Sequence, residues 1–183
     1  MKIYFVTSNK NKFKEAKEIF GRNLEMATIE LEEIQHMDTE KVTNHKIKEA
    51  YAKLKKPVCV DDTGLYLDAI KGLPGAFAKH FTNRLGAKGI SDLVSLYGIY
   101  TATVSTSLGF SDGTNTKIFT SRVKGRISKV PAGKTGFGFD SIFIPKGSNL
   151  TLAQMPIIHK NRFSARGNAF GELKEYLESQ KII

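Results

Sequence analysis

Residues 58–75 read VCVDDTGLYLDAIKGLPG, and the fold turns on how this stretch is understood. Val58, Cys59 and Val60 form a short apolar run of the kind that makes a buried strand. Two adjacent carboxylates, Asp61 and Asp62, follow at once, then a Thr-Gly turn and a Gly-Leu-Pro-Gly turn. Like charges this close repel, so a positive partner is expected beside or between them. Neighbouring side chains on a strand point to opposite faces, so both aspartates reach one cation only if the strand ends where they begin. The spacing predicts that ending, with the two carboxylates at the strand's carboxyl end.

Outward from this stretch, strand and helix patterns alternate. KIYFV (2–6) reads as a buried first strand, and Phe13, Ala16, Ile19 and Phe20 give a helix over about 12–20. Ile47, Ala50, Tyr51 and Leu54 give a second helix over about 40–54, which Pro57 closes before VCV begins. Beyond the Gly-Pro-Gly turn, a short helix near 76–82 and a clearer one over about 88–97 are expected. YTATVSTSLGF (100–110) alternates and is rich in Thr and Val, a strand that an SDG turn joins to a partner over about 116–123. A glycine-rich loop, PAGKTGFGFD (131–140), leads to a short strand SIFIP, and a helix over about 164–179 ends the chain. Early alternation with a central hairpin predicts an α/β fold, a mixed twisted sheet flanked by helices.

Length and composition bound the rest. A chain of 183 residues, 40% hydrophobic and 25% charged, is long enough for one self-sufficient core, so a single domain over 1–183 is expected. Cys59 is the only cysteine, which rules out an intrachain disulfide and suits a reducing, cytoplasmic setting. No apolar run reaches the length of a membrane helix, and MKIYFVTSNK offers no signal-peptide core, so no membrane association is expected. The net charge of +10 calls for an anionic partner. Nucleic acid is disfavoured, because the lysines are scattered and paired acids repel a polyanion unless a metal intervenes.

Five short motifs carry chemistry. TSNKNK (7–12) sits between the first strand and first helix, where ligands of α/β proteins bind, and its Lys10 and Lys12 suit phosphate. Asp61 and Asp62 at a neighbouring strand end suit Mg2+, which takes one or two carboxylates together with phosphate oxygens. LEEIQ (31–35) offers a further acidic ligand. Phe137 and Phe139 in GFGFDSIF place flat rings on a mobile backbone, suited to stacking on a base. HKNRFSARG (159–167) brings cations to the start of the last helix, with Ser164 as its N-cap.

Together, TxNxxK, DDTGL, GLPG, FGFD and KNxxSxRG, in this order from Thr7 to the last helix, resemble the inosine/xanthosine triphosphate pyrophosphatase family. That resemblance implies a Mg2+-dependent enzyme, usually a homodimer, with an elongated mixed sheet and a cleft between two lobes. It would hydrolyse purine nucleoside triphosphates such as ITP, dITP and XTP to the monophosphate and pyrophosphate. It makes Lys12 and Lys46 phosphate-binding and catalytic, Glu33 a metal ligand, and Asp62 the acid that binds metal and activates water. Asp61 fills a neighbouring metal position, and Thr7, Asn9 and Thr63 belong to the phosphate-binding turns. Phe139, with Phe137 beside it, takes the base-stacking place, followed by Asp140. Lys160, Ser164 and Arg166 complete the pocket. Four places depart from the pattern: Ala165 replaces a histidine expected at the base edge, Gln154 replaces an acid, Ser141 replaces a proline, and the strand near Tyr100 lacks the expected basic residue. Losing one such hydrogen-bond partner costs on the order of 1–3 kcal/mol, so base selectivity is expected to be altered. A nucleotide-binding protein with reduced turnover is the alternative these departures support.

Overall fold

Val58–Leu67 is one continuous ten-residue strand in the computed structural model, which describes residues 1–183. The expected strand end at the aspartates does not occur. The Thr-Gly pair is carried through because residues 58–67 pair without interruption with a second long strand, Thr101–Ser111. Cross-strand pairing thus overrides the local turn signal.

In chain order the strands are β1 (Ile3–Val6), β2 (Leu24–Ala27), β3 (Val58–Leu67), β4 (Pro74–Gly75), β5 (Thr101–Ser111), β6 (Thr116–Ile127) and β7 (Phe143–Pro145). The helices are α1 (Lys10–Phe20), α2 (Thr39–Leu54), α3 (Ala78–Tyr97), α4 (Ile157–Phe163) and α5 (Ala165–Ser179). The sheet runs β2-β1-β3-β5-β6-β7, with β4 beside the far end of β3. β1 is parallel to β2 and β3, whereas the other pairs are antiparallel, as expected of a mixed sheet. No helix is long and apolar enough to cross a membrane.

Local chemistry explains the boundaries. Asn9 caps α1 by accepting the N–H groups of Asn11 and Lys12, and Asp38 caps α2 by accepting that of Glu40. The two helices expected over 76–82 and 88–97 are α3, interrupted at Gly86 (φ 68°, ψ 169°), a conformation only glycine adopts cheaply.

Period-2 alternation along β3 sorts its side chains between the two faces. Cys59 joins Ile3, Phe5, Leu108 and Phe110 in a core under α1 and α5, where Phe170 meets Phe5 edge-on at 5.2 Å. Val58 and Val60 pack instead with Val6, Ile47 and Ala50 under α2. Leu65 and Leu67 belong to a third core with Ile90, Val94 and Phe143. Three cores therefore meet on the long strand β3. β1 pairs with β3 only at residues 58 and 59, and β4 only at 65 and 66. Between them one edge of β3 is open, and the aspartates lie on that open segment.

Candidate active site

Asp61 and Asp62, one residue apart on a strand that does not end, face opposite sides of the sheet. On the α1/α5 side the Asp61 carboxylate receives Lys12 Nζ at 2.9 Å and Arg166 Nε at 2.9 Å. Arg166 also reaches Glu15 at 2.7 Å and donates to the Thr63 hydroxyl at 3.1 Å. Glu15 in turn holds Lys160 at 2.5 Å, and Lys160 holds Asp140 at 2.6 Å. Lys12, Asp61, Arg166, Glu15, Lys160 and Asp140 thus form one chain of alternating charge, and all but Lys12 are buried. Burial by itself would raise the Asp61 pKa, but Lys12 and Arg166 outweigh it and hold the carboxyl well below the usual range. Glu15 is lowered in the same way, against its burial, by Arg166 and Lys160.

Asp62 has the opposite environment. Its Oδ1 lies 3.4 Å from Lys46 Nζ, and Lys46 also meets Glu33 at 2.6 Å. Its Oδ2 is buried and has no hydrogen-bond partner. Burial pushes the Asp62 pKa up, and the attraction of Lys46 and Lys12 does not overcome it. Glu33 and Asp62 border a cleft of about 310 Å³, lined also by His36, Phe77 and His80 among others.

The structure therefore brings Lys12, Lys46, Glu33, Asp61 and Asp62 to one open edge of β3, with Lys160 and Arg166 behind Asp61. Both Asp61 oxygens are held by cations, and the strand turns this side chain to the face opposite Asp62. The positive partners expected beside the two aspartates are Lys12 and Arg166 on Asp61 and Lys46 on Asp62, so each lysine is already paired, as burial requires. Four cations face five carboxylates in this cluster, so it carries no surplus positive charge of its own. Thr7 and Asn9 shape the loop after β1: the Thr7 hydroxyl accepts the Asn9 N–H at 3.1 Å. Ser164 caps α5 by accepting the Gly167 N–H at 3.0 Å. Phe139 packs against Phe143 at the edge of a core, whereas Phe137 lies under Lys160 Nζ at 5.0 Å and Arg166 at 5.5 Å. The ring beside the cations is thus Phe137.

No group of three or more His, Cys, Asp or Glu side chains is placed to hold a metal ion by itself. Glu33 and Asp62, drawn to one lysine, fit the smaller carboxylate set that Mg2+ takes when phosphate oxygens complete its shell. Asp62 Oδ2, buried and without a hydrogen-bond partner, is left as an unused acceptor beside this pair.

Residues 3–176 match the model of the Ham1 family. The chain belongs to the Ham1 family. A dITP/XTP pyrophosphatase of Saccharolobus solfataricus is 41% identical over 182 residues, covering 98% of this chain and 95% of that protein. An inosine triphosphate pyrophosphatase of Encephalitozoon intestinalis is 38% identical, covering 100% and 95%. A HAM1 protein from Coxiella burnetii shares the fold at a TM-score of 0.84 and 21% identity, over 98% of this chain and 99% of that one. The Ham1 protein of Staphylococcus aureus superposes with a TM-score of 0.76 at 25% identity, over 98% and 100%.

Within this Ham1 chain the residue that sequence reasoning missed is Glu15. It stands among lysines in KNKFKEAKEIF and, three positions from Lys12, looks like half of an exposed helical ion pair. It is instead 4% exposed and bridges Lys160 and Arg166. Gln154, where an acid is usual, donates nothing to the site: its side-chain oxygen accepts the Thr151 N–H at 2.9 Å and caps a turn.

Proposed function

We propose that this chain is a single-domain, Mg2+-dependent nucleoside triphosphate pyrophosphatase that hydrolyses non-standard purine triphosphates (ITP, dITP and XTP) to the monophosphate and pyrophosphate. The names borne by its relatives support the substrate class. The single observation that carries the chemistry is Asp62, a half-buried carboxylate that lines the cleft, has one unpaired oxygen and a pKa raised by burial, and lies beside Lys46. A carboxyl so placed is suited to accept a proton at the pH of the reaction. Asp62 Oδ2 orients the attacking water and takes its proton as the new bond to the α-phosphorus forms. The bond from that phosphorus to the bridging oxygen breaks, and pyrophosphate leaves. Lys46 and Lys12 offset charge on the phosphate oxygens. Glu33 and Asp62 would hold Mg2+, which when bound adds the positive charge that this balanced cluster lacks. Asp61 is a positioning residue: it fixes Lys12 and Arg166 from behind.

Phe137, Lys160 and Arg166 form the base end of the pocket. Ala165 is buried and apolar there, so no side chain at that position reads the base edge. Weaker discrimination against GTP and ATP follows, and a nucleotide-binding role with reduced turnover is the second reading. The chain acts in the cytoplasm, as a homodimer, without stable nucleic-acid binding.

The test is product analysis with purified protein, Mg2+ and ITP, dITP, XTP, GTP or ATP. Pyrophosphate and monophosphate in equal amounts, fastest from the first three, is the expected result. Release of orthophosphate, or no turnover with tight nucleotide binding, would reject hydrolysis at the α-phosphorus.

A further inference from the structure

A second cavity lies on the same sheet face as Asp62, just beyond the N-terminus of α2. It encloses about 370 Å³ and is lined by Met37, Asp38, Tyr66, Thr103, Ser105 and Arg122. That volume is within the range of small-molecule sites. Ser105 is only 2% exposed, and its hydroxyl has no hydrogen-bond partner. A buried hydroxyl left unpaired is costly, and a ligand atom in the cavity would satisfy it. Arg122 stands opposite Ser105 in the β5–β6 register, is exposed, and takes part in none of the ion pairs. Lys124, two residues on, shares its face and is likewise unpaired. Tyr66 and Met37 offer flat and flexible apolar surface, and Asp38 offers an acceptor at the cavity wall.

We infer that this cavity is a second ligand site, which takes a small molecule combining a flat, N–H-bearing ring with one anionic group: a nucleoside monophosphate. The ring lies against Tyr66 with its N–H donors toward Asp38, and the phosphate meets Arg122 and Lys124. Choice of that class rests on the pyrophosphatase reading, which makes a nucleoside monophosphate the product. The site is coupled to the first through one short segment. Met37 accepts the Tyr66 hydroxyl at 3.0 Å and the Ala76 N–H at 3.1 Å. Glu33, Ile34, Gln35 and His36, immediately before it, line the catalytic cleft. A ligand on Met37 and Asp38 therefore holds the segment that carries Glu33.

Equilibrium dialysis of the full chain against inosine monophosphate tests this. Two equivalents per chain are expected for the unsubstituted protein and one for Arg122→Glu, whose second-site affinity falls at least about tenfold with the phosphate contact gone. Ser105→Val replaces the unpaired hydroxyl with apolar carbon at the cavity wall, and is expected to weaken the second site as well. If it does not fold, Arg122→Glu, an exposed change, still decides. Lys12→Ala is expected to keep the second equivalent while weakening the first. One equivalent in the unsubstituted protein, or two in Arg122→Glu, overturns the site. Dissociation of an oligomer by Arg122→Glu in sedimentation also overturns it, since a second copy would then cover this face. Pyrophosphate release, measured separately, tells whether the hydrolytic reading has failed instead.

Discussion

Two neighbouring aspartates titrate in opposite directions because the pleat sends them to opposite faces. Asp61 sits between Lys12 and Arg166, and its lowered pKa means that the folded state favours the charged form. Its contribution to stability is present above the unfolded carboxyl value and is lost as pH falls through the folded one. Asp61→Asn strands two buried or half-buried cations. It should cost about 3 kcal/mol, or roughly 6–12 °C in Tm for a chain of this size, by calorimetry at neutral pH. Asp62 is raised by burial, so the folded state binds its proton more tightly than the unfolded state does. Stability then falls as pH rises through that window, and the cost is complete above it. Asn cannot ionise, so Asp62→Asn should raise Tm at neutral pH in EDTA, and should lose activity when assayed with Mg2+. Both variants shifting Tm in the same direction would show that the two environments are not separate. None of this was legible in DDTGL alone, because the pattern of an Asp-Asp pair followed by Thr-Gly is that of a turn. Only the uninterrupted pairing of β3 with β5 reveals that the residues part company.

The segments that position the site were legible where an apolar stripe was long enough to see. α2, β5, β6 and α5 begin and end within a few residues of expectation, since each buries several evenly spaced apolar side chains. β2 (LEMA) and α4 (IIHKNRF) were missed, because four and seven residues carry too little periodicity. Yet α4 delivers Lys160, and its seating on α5 depends on one glycine. A Cβ at Gly167 would lie 1.8 Å from the carbonyl oxygen of Asn161, a backbone atom that cannot swing aside. Gly167→Ala should therefore separate α4 from α5, lower Tm by several degrees and raise KM by displacing Lys160 and Arg166. Gly171→Ala, four residues on with nothing within 4 Å, should instead stabilise by roughly 0.5–1 kcal/mol through helix propensity. Equal behaviour of the two variants in thermal unfolding would contradict this account of the helix junction.

At the scale of the molecule, the net charge of +10 marks an anionic partner without locating it. The cations that matter are not the surface lysines but four that are paired among five carboxylates around an open strand edge. Such a cluster holds its geometry before substrate arrives, yet it has no spare positive charge for a triphosphate. Chelation with EDTA should therefore abolish turnover and weaken triphosphate binding in titration calorimetry, with recovery on adding Mg2+. Unchanged triphosphate affinity in EDTA would show that the lysines suffice alone. The resemblance of the ordered motifs led to the family, and the bulk composition could not have done so. Glu15, which ties Lys160 to Asp61 through Arg166, was beyond both, because an acid among lysines on a helix gives no sign that it is buried.

The most direct measurement is the steady-state rate of pyrophosphate release from XTP with Mg2+ by Asp62→Asn, beside its Tm and that of the unsubstituted chain. If Asp62 is the water-activating carboxylate, kcat falls by about 10²–10⁴-fold while the folded protein is at least as stable. A variant that turns over XTP at the unsubstituted rate would show that the unpaired oxygen of Asp62 has no part in the reaction.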